Sequence, residues 1–346
     1  YFVYYFIVNI FCRNTLHFYD MSERANCWME LIQVELDDID LSSENHDRYL
    51  FRYGCDSDLL MESISEVGLI NPVILKSSTD TDEAYSVICG YQRVLACKKL
   101  GQVSCEAKVI DGLDDEEILL LVLHDNLSSK GFNVVEKGIV MKKFLDIGYS
   151  YDRLLSYIVP LLEIPPNKNI IDKHLSVLGL DSEIKQSIAR SELDLERASL
   201  LVSLDDTDRD IVYRYLFRES ITNTNEAKET IRNLLDLKLI KRLEIDKLIS
   251  SSEIDQILSD SKSNKRQKGE KIYRLIKTMR YPSISMKESE FDKSCSELRL
   301  DNDVRINHSK YFEGDEIRIT LKASNEEKLG NNLERLLLNI RNGTFK

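Results

Sequence analysis

The junction at Gly90 constrains this chain most, because a single glycine there joins a predicted strand to a predicted helix. Tyr85–Cys89 is an apolar run typical of a strand, and residues 93–100 have helical spacing and end at Gly101. Amide N–H groups at a helix N-terminus, a glycine without Cβ and a first-turn arginine, Arg93, can together hold an anion. The junction therefore predicts a sheet-and-helix domain with a phosphate cradle, and the alternative is a plain turn.

Two segments flank this junction and would close the cradle. Upstream, Gly68 ends a predicted amphipathic helix over residues 59–67, and Pro72 opens a strand. Downstream, the helical pattern stops at His124, and residues 125–129 are predicted as a polar loop. The predicted strands are 34–39, 73–75, 85–89 and 106–110.

Composition limits the classes of function. The 346 residues are 42% hydrophobic and 31% charged, which is typical of a soluble protein with two or three domains. The net charge of −12 disfavours a basic nucleic-acid coat, although local basic patches can still bind phosphate. Seven cysteines without a C-x-x-C pair predict neither a disulfide framework nor a zinc site, and they indicate a reducing, cytoplasmic compartment.

The first 28 residues carry no motif. Residues 1–12 are apolar, but they lack the basic start and cleavage site of a signal peptide and are shorter than the roughly 18 residues of a membrane span. We expect residues 1–20 to be translated upstream sequence or a fragment artefact, with Met21 as the natural start. A membrane-dipping anchor is the alternative, and we expect no membrane partner.

The order of these motifs resembles the ParB-like family of partition proteins, in its ParB/sulfiredoxin-fold N-terminal domain. That family has Gly-Leu-x-x-Pro-x-x-Val, Gly-Glu-Arg-Arg-x-Arg-Ala and Glu-Asn-x-x-Arg motifs, and its next helix begins with Asn-Pro-x-Glu. The matching residues here are Gly68, Leu69, Pro72, Gly90, Arg93, Ala96, Asp125, Asn126, Asn133 and Glu136. The resemblance extends from about residue 34 to about residue 235.

The resemblance implies a site for CTP and magnesium. The implied phosphate-binding residues are Gly68, Gly90, Tyr91, Gln92, Arg93, Asn126 and Lys130, and the implied magnesium ligands are Asp125 and Asn126. Three arginines of the family motifs are replaced here, by Gln92, Leu95 and Ser129. Tyr91 replaces a glutamate. Since each charged phosphate contact contributes about 1.5–3 kcal/mol, these replacements predict weaker triphosphate binding unless Lys130 compensates.

Enzyme activity is an alternative use of such a cradle. Sulfiredoxin shares the fold and uses a catalytic cysteine, but Tyr91 occupies that position here, and Cys89 is predicted to be buried and inert. Other proteins with this fold are kinases or nucleases that use acidic residues, for which Asp125, Glu62 and Glu66 are candidates. The resemblance favours a binding protein with at most weak nucleotide hydrolysis. A scaffold with a degenerate cradle is the third alternative.

Residues after Asn133 are predicted to be largely helical and resemble the helix-turn-helix DNA-binding domain of the same family. Residues 151–162 would be the first helix and 168–178 the recognition helix, although a Pro-Pro turn makes their connection long. The residues predicted to face DNA are Asn167, Lys168, Asn169, Lys173 and His174. The alternative is an ordinary, sparsely charged helical surface.

A basic run covers residues 262–280 and contains one acidic residue, Glu270. It predicts phosphate contacts, for which Lys265, Arg266 and Lys268 are the candidates. The alternative is a solvated face, or one whose cations pair with carboxylates of the same chain.

These patterns predict an α+β protein of several domains. Residues 1–28 are an unassigned extension, 29–132 a ParB/sulfiredoxin-like domain, 133–260 a helical helix-turn-helix-like domain, and 261–346 a basic helix with a small α+β module. An exposed sheet and one apolar helix face in that module suit a homodimer. The predicted function is a bacterial, cytoplasmic DNA-binding protein of partition or regulatory type, controlled by CTP.

Overall fold

The computed structural model describes residues 30–41, 47–54, 58–78, 84–129, 131–250, 252–298, 303–309, 312, 314 and 316–341. The predicted extension over residues 1–28 lies outside this part of the chain, as does Lys130. The chain forms two compact units, one through Val202 and the other from Ser203.

A mixed five-stranded sheet is the centre of the first unit. Its strands are β1 (Glu30–Glu35), β2 (Ile39–Asp40), β3 (Val73–Ser77), β4 (Tyr85–Cys89) and β5 (Ser104–Val109), in the order β1-β5-β3-β4-β2. β1 pairs with β5, and β3 with β4, in antiparallel fashion. β3 and β5 are parallel, as are β2 and β4. Three of the predicted strands therefore coincide within two residues with β3, β4 and β5, and β4 leads directly to Gly90. The predicted strand over residues 34–39 is wrong, because a 3-10 turn at Leu36–Asp38 separates β1 from β2.

The two faces of this sheet are covered by different helices. Because side chains alternate along a strand, Val87 packs with α1 (Asp58–Val67) and α2 (Tyr91–Lys99), whereas Ile88 packs with α3 (Asp115–Ser129). The Gly90 junction thus lies where β4 passes between two packed layers, on a scaffold that is buried on both sides.

The core on the α3 side continues into further helices. These are α4 (Val134–Asp146), α5 (Tyr151–Arg153, a π-helical stretch Leu154–Ile158 and Val159–Leu161), α6 (Lys168–Ser176), α7 (Ser182–Ala189) and α8 (Leu195–Leu201). One cluster of buried side chains runs from Ile88 through Leu123 to Phe144 and Ile171. This core crosses the predicted domain boundary at 132/133, and the boundary itself remains a prediction.

The second unit is helical with a small sheet near the C-terminus. Its helices are α9 (Asp206–Val212, continuing into a π-helical stretch Tyr213–Arg218), α10 (Thr224–Lys241), α11 (Ile245–Ile249), α12 (Ser252–Ser259), α13 (Lys265–Arg280), α14 (Pro282–Glu297) and α15 (Glu326–Arg341). β6 (Val304–His308) and β7 (Ile317–Leu321) form an antiparallel pair. The predicted α+β class, with a helical remainder and a small C-terminal sheet, is confirmed. Among the described helices, none has the length and apolar character needed to cross a membrane.

The predicted loop at residues 125–129 is wrong, because these residues are the last turns of α3. Asp, Asn and Ser usually favour turns since their side chains compete for backbone hydrogen bonds. Here the Asn126 side-chain amide donates to the carbonyl of Val122, one turn earlier, at 2.8 Å. That bond satisfies the amide inside the helix, which continues to Ser129, and Gly131 has a φ of +70°.

Candidate phosphate cradle and nucleic-acid surfaces

Gly90 is held in a left-handed conformation between β4 and α2, with φ +99° and ψ +22°. Glycine adopts this conformation without the steric cost that a Cβ imposes. A Cβ at this position would lie only 2.9 Å from Nε of Arg93, so the guanidinium folds directly over the glycine. The predicted junction is therefore a tight turn closed by an arginine.

Arg93 connects two of the predicted motifs. Its Nη1 donates to the carbonyl oxygens of Asn71 and Pro72, each at 2.8 Å. These carbonyls lie in the segment between Gly68 and β3, so the arginine ties that segment to the first turn of α2. Because these bonds occupy part of a fixed set of five N–H donors, fewer donors of Arg93 remain for a phosphate.

Asp125 brings the third motif to the same corner. Sγ of Cys89 donates to Oδ2 of Asp125 at 2.8 Å, and Nη2 of Arg93 lies 3.9 Å from that sulfur. Burial, followed by the nearby Asp125 charge, raises the pKa of Cys89 to about 12. The thiol is therefore protonated at neutral pH, and the corner is unsuited to thiolate chemistry.

Asn126 and Asp125 present the amide and carboxylate oxygens that magnesium prefers. Asn126 is 9% exposed and is oriented by its bond to the Val122 carbonyl. Within the described ranges, no group of three or more His, Cys, Asp or Glu side chains is placed to hold a metal ion.

The remaining cradle residues lie around the same turn. Gly68 ends α1 with a φ of +77°, and its N–H donates to the Ile64 carbonyl at 3.0 Å, which confirms its predicted C-terminal position. Tyr91 and Gln92 form the first turn of α2 and are half-buried. N–H groups in a first helical turn are the ones that caps, water or ligands satisfy.

The predicted DNA-facing residues of α6 lie at its start and along its side. Asn167 caps the helix by accepting the Asn169 N–H at 2.9 Å. Lys168 forms an ion pair with Asp152 at 3.3 Å, and Lys173 pairs with Glu196.

His174, on the same helix, is buried rather than exposed. Its Nδ1 lies 3.0 Å from the carbonyl oxygen of Val134 in α4. A Cβ on Gly138 of α4 would lie 2.5 Å from the His174 carbonyl, so the two helices are in close contact here. Burial lowers the pKa of His174. This histidine therefore belongs to helix packing.

The predicted phosphate contacts on α13 bind groups of their own chain. The Lys265 ammonium donates to the carbonyl of Arg218 at 2.8 Å. Arg266 pairs with the Glu226 carboxylate at 2.8 Å, and Lys268 donates to a carbonyl at the end of α12. These three side chains therefore fit the alternative interpretation of the basic run, in which its cations bind acceptors of the same chain.

Sequence reasoning missed Arg52. Glu136, a buried carboxylate, accepts the N–H groups of Asn133 at 2.8 Å and Tyr53 at 3.0 Å, and the Arg52 guanidinium lies 3.6 Å away. Arg52 also donates to the Gly131 carbonyl at 2.7 Å. The Asn133/Glu136 capping box is visible in the sequence as Asn-x-x-Glu, but no local signal reveals an arginine 84 positions before Glu136 in the chain.

The strand order, the Gly90 junction and the meeting of three motifs define an α+β domain of the ParB/sulfiredoxin type. Residues 29–127 match the family model of the ParB N-terminal domain. The chain therefore carries a ParB N-terminal domain, and the resemblance predicted from its motifs is confirmed.

Individual relatives cover only part of the chain. The probable chromosome-partitioning protein ParB of Chlamydia muridarum is 25% identical over 179 residues, which are 51% of this chain and 61% of that protein. The chain thus matches less than two thirds of that relative's length.

Two solved structures of C-terminally truncated ParB from Caulobacter crescentus are also similar. The complex with the centromeric parS site has 16% identity and a TM-score of 0.35, covering 58% of this chain and 98% of that one. The complex with CTP-gamma-S has 20% identity and a TM-score of 0.25, covering 51% and 94%.

Proposed function

We propose that this chain is a DNA-binding protein of the partition type. The observation that carries the proposal is the match of residues 29–127 to the ParB N-terminal domain, with Gly90, Arg93 and Asp125 at one corner of it. A relative matched over half of the chain is described as a probable chromosome-partitioning protein.

The proposed DNA surface is the start of α6, with Asn167, Lys168 and Asn169, together with Lys173 in its last turn. The ion pair of Lys168 with Asp152 is solvent-exposed, with 61% and 85% of the two side chains accessible. Such exposed pairs contribute only about 0–1 kcal/mol. A charged phosphate contact contributes about 1.5–3 kcal/mol, so a DNA phosphate would displace Asp152 from Lys168.

Nucleotide control is the finer part of the proposal. Gly90, Tyr91, Gln92 and Arg93 would hold the phosphates of CTP, and Asp125 with Asn126 would hold magnesium. To donate all of its N–H groups to a phosphate, Arg93 must give up its hydrogen bonds to the Asn71 and Pro72 carbonyls. Loss of these hydrogen bonds frees the segment before β3 from α2. The chain would then have two states, with and without these bonds, and control by a ligand requires two such states.

The proposed assembly is a homodimer formed through the C-terminal module. Leu329, Leu333 and Leu337 follow one another at four-residue spacing along α15 and are 38%, 39% and 51% exposed. Ile317 and Ile319 on the neighbouring hairpin are also exposed. A second copy of this module would cover these side chains.

The test is a gel shift of the full chain on a parS duplex and on a scrambled duplex, each with and without CTP and magnesium. We expect a salt-sensitive shift that prefers parS and changes when CTP is added. Absence of any shift would refute DNA binding. Calorimetric titration with CTP, ATP and ADP tests nucleotide control separately. The absence of binding heat for all three nucleotides would refute nucleotide control but not DNA binding. Nucleotide consumption or plasmid nicking would instead support the kinase- or nuclease-like alternative.

A further inference from the structure

A surface groove lies between the turn at residues 260–263 and the first three turns of α13. Its lining side chains are Lys262, Ser263, Gln267, Glu270, Lys271 and Arg274. Three of these six side chains are cationic and one is anionic, in a chain whose net charge is −12. The groove is therefore a local concentration of positive charge on an acidic background, and it is concave where a helix surface is normally convex.

The two carboxylates near the groove are already satisfied. Asp260 accepts hydrogen bonds from Ser263 Oγ at 2.6 Å and from the Lys271 ammonium at 3.1 Å. Glu270 pairs with Arg266 at 3.2 Å. Both carboxylates thus already pair with a cation of α13, Asp260 with Lys271 and Glu270 with Arg266.

Two cations of the groove have no ion-pair partner among the described residues. Neither Lys262 nor Arg274 forms an ion pair with any residue in the described part of the chain. Lys271 is 50% exposed despite its pair with Asp260, so an incoming anion can reach it. Lys271 and Arg274 are three positions apart on α13 and thus neighbours on the same side of the helix.

The three phosphate-contact candidates that the sequence predicted on this helix, by contrast, already have partners in the chain. Lys265 and Lys268 donate to backbone carbonyls, and Arg266 is paired with two glutamates. To bind Lys265, Arg266 or Lys268, a phosphate would have to break those contacts. Binding to Lys262 or Arg274 would break no ion pair. The free positive charge of the basic run is thus concentrated in the groove.

We propose that this groove, with Lys262, Lys271 and Arg274, binds backbone phosphates of duplex DNA without reading sequence. Arginine suits this role because its planar fork can donate two parallel hydrogen bonds to one phosphate. Contacts of this kind add affinity uniformly across sequences and make binding strongly salt-dependent. The inference rests on the proposed DNA binding and assigns a part of it to a second surface, separate from α6.

The experiment compares two double variants of the full chain that each remove two positive charges from α13. The test variant is K271Q/R274Q, and the matched control is K265Q/K268Q. Binding to a fluorescent duplex of arbitrary sequence is followed by anisotropy over a series of salt concentrations. The test variant should lower the slope of log K against log salt by about 1.8, since each phosphate contact contributes about 0.9. The control should leave that slope unchanged within about 0.5.

A single variant guards against a folding artefact. Arg274→Gln removes a side chain that pairs with no described residue, so the fold should be intact by circular dichroism and the slope should fall by about 0.9. Equal losses in the test and control double variants, or an unchanged slope in R274Q, would overturn the groove while DNA binding stands. A wild-type chain that binds no duplex at any salt would overturn the proposed function together with the groove.

Discussion

At the scale of single residues, Arg93 has two competing uses. It is the only arginine left of those that the family motif places around the cradle, and its Nη1 is bonded to the carbonyls of Asn71 and Pro72. A guanidinium so placed stabilises this corner, and a nucleotide bound at the proposed cradle would have to displace those hydrogen bonds. The position of this side chain over Gly90 therefore links the stability of the domain to the accessibility of its cradle.

Gly90→Ala should destabilise the chain for two separable reasons. A left-handed backbone costs a non-glycine residue about 1–2 kcal/mol, and the new Cβ would displace Arg93, whose charged hydrogen bonds contribute about 1.5–3 kcal/mol. Gly101→Ala is the matched control, because Gly101 has a φ of +72° but nothing within 4 Å of the methyl group that alanine would add. Urea denaturation should show a clearly lower midpoint for G90A than for G101A at a constant slope. Equal midpoints would mean that Arg93 does not hold this corner.

At the scale of secondary-structure elements, the sequence was most informative where apolar periodicity is strong. Strand β4 and helix α4 were predicted within one residue of their observed ends. The interactions that were missed join distant parts of the chain, as Arg52 joins Glu136 and Arg266 joins Glu226. Such pairs depend on tertiary packing, which no local pattern encodes. The position of the Gly90 turn was therefore predictable from the sequence, whereas the hydrogen-bond partners of Arg93 were not.

The contact between α13 and the segment before α10 gives a prediction at this scale. Ala in place of Gly inside a helix normally stabilises by about 0.5–1 kcal/mol. A Cβ on Gly269 would lie 2.1 Å from the carbonyl oxygen of Ile221, and overpacking of this kind costs about 1–3 kcal/mol. Gly269→Ala should therefore lower the thermal midpoint, whereas Gly330→Ala in α15, where nothing lies within 4 Å, should raise it. Stabilisation by both substitutions would contradict the close approach seen at Gly269.

At the scale of the whole molecule, the acidic excess and the basic run have to be considered together. A net charge of −12 repels DNA at long range, so the proposed DNA binding would depend on local positive sites and on screening. Within α13, Lys277 and Arg280 are paired with Glu288 and Asp236, in addition to the paired cations near its start. The number of lysines and arginines in this run therefore overstates how many cations are available for a ligand. A dimer would present each available site twice.

Adjacent leucines on α15 allow the proposed dimer to be tested with one substitution at two positions. Leu337 lies on the exposed stripe with Leu329 and Leu333, whereas Leu338, 61% exposed, is turned by about 100° around the helix and lies off that stripe. If the stripe is the dimer contact, Leu337→Glu buries an unpaired charge there and should yield a species of 40.1 kDa by light scattering. Leu338→Glu, of equal size and charge, should keep twice that mass, as the wild-type chain should. Retention of the dimer by both variants would show that the two copies meet elsewhere. Dissociation by both would show that the contact is not centred on the stripe, because only such a contact distinguishes neighbouring residues on different sides of one helix.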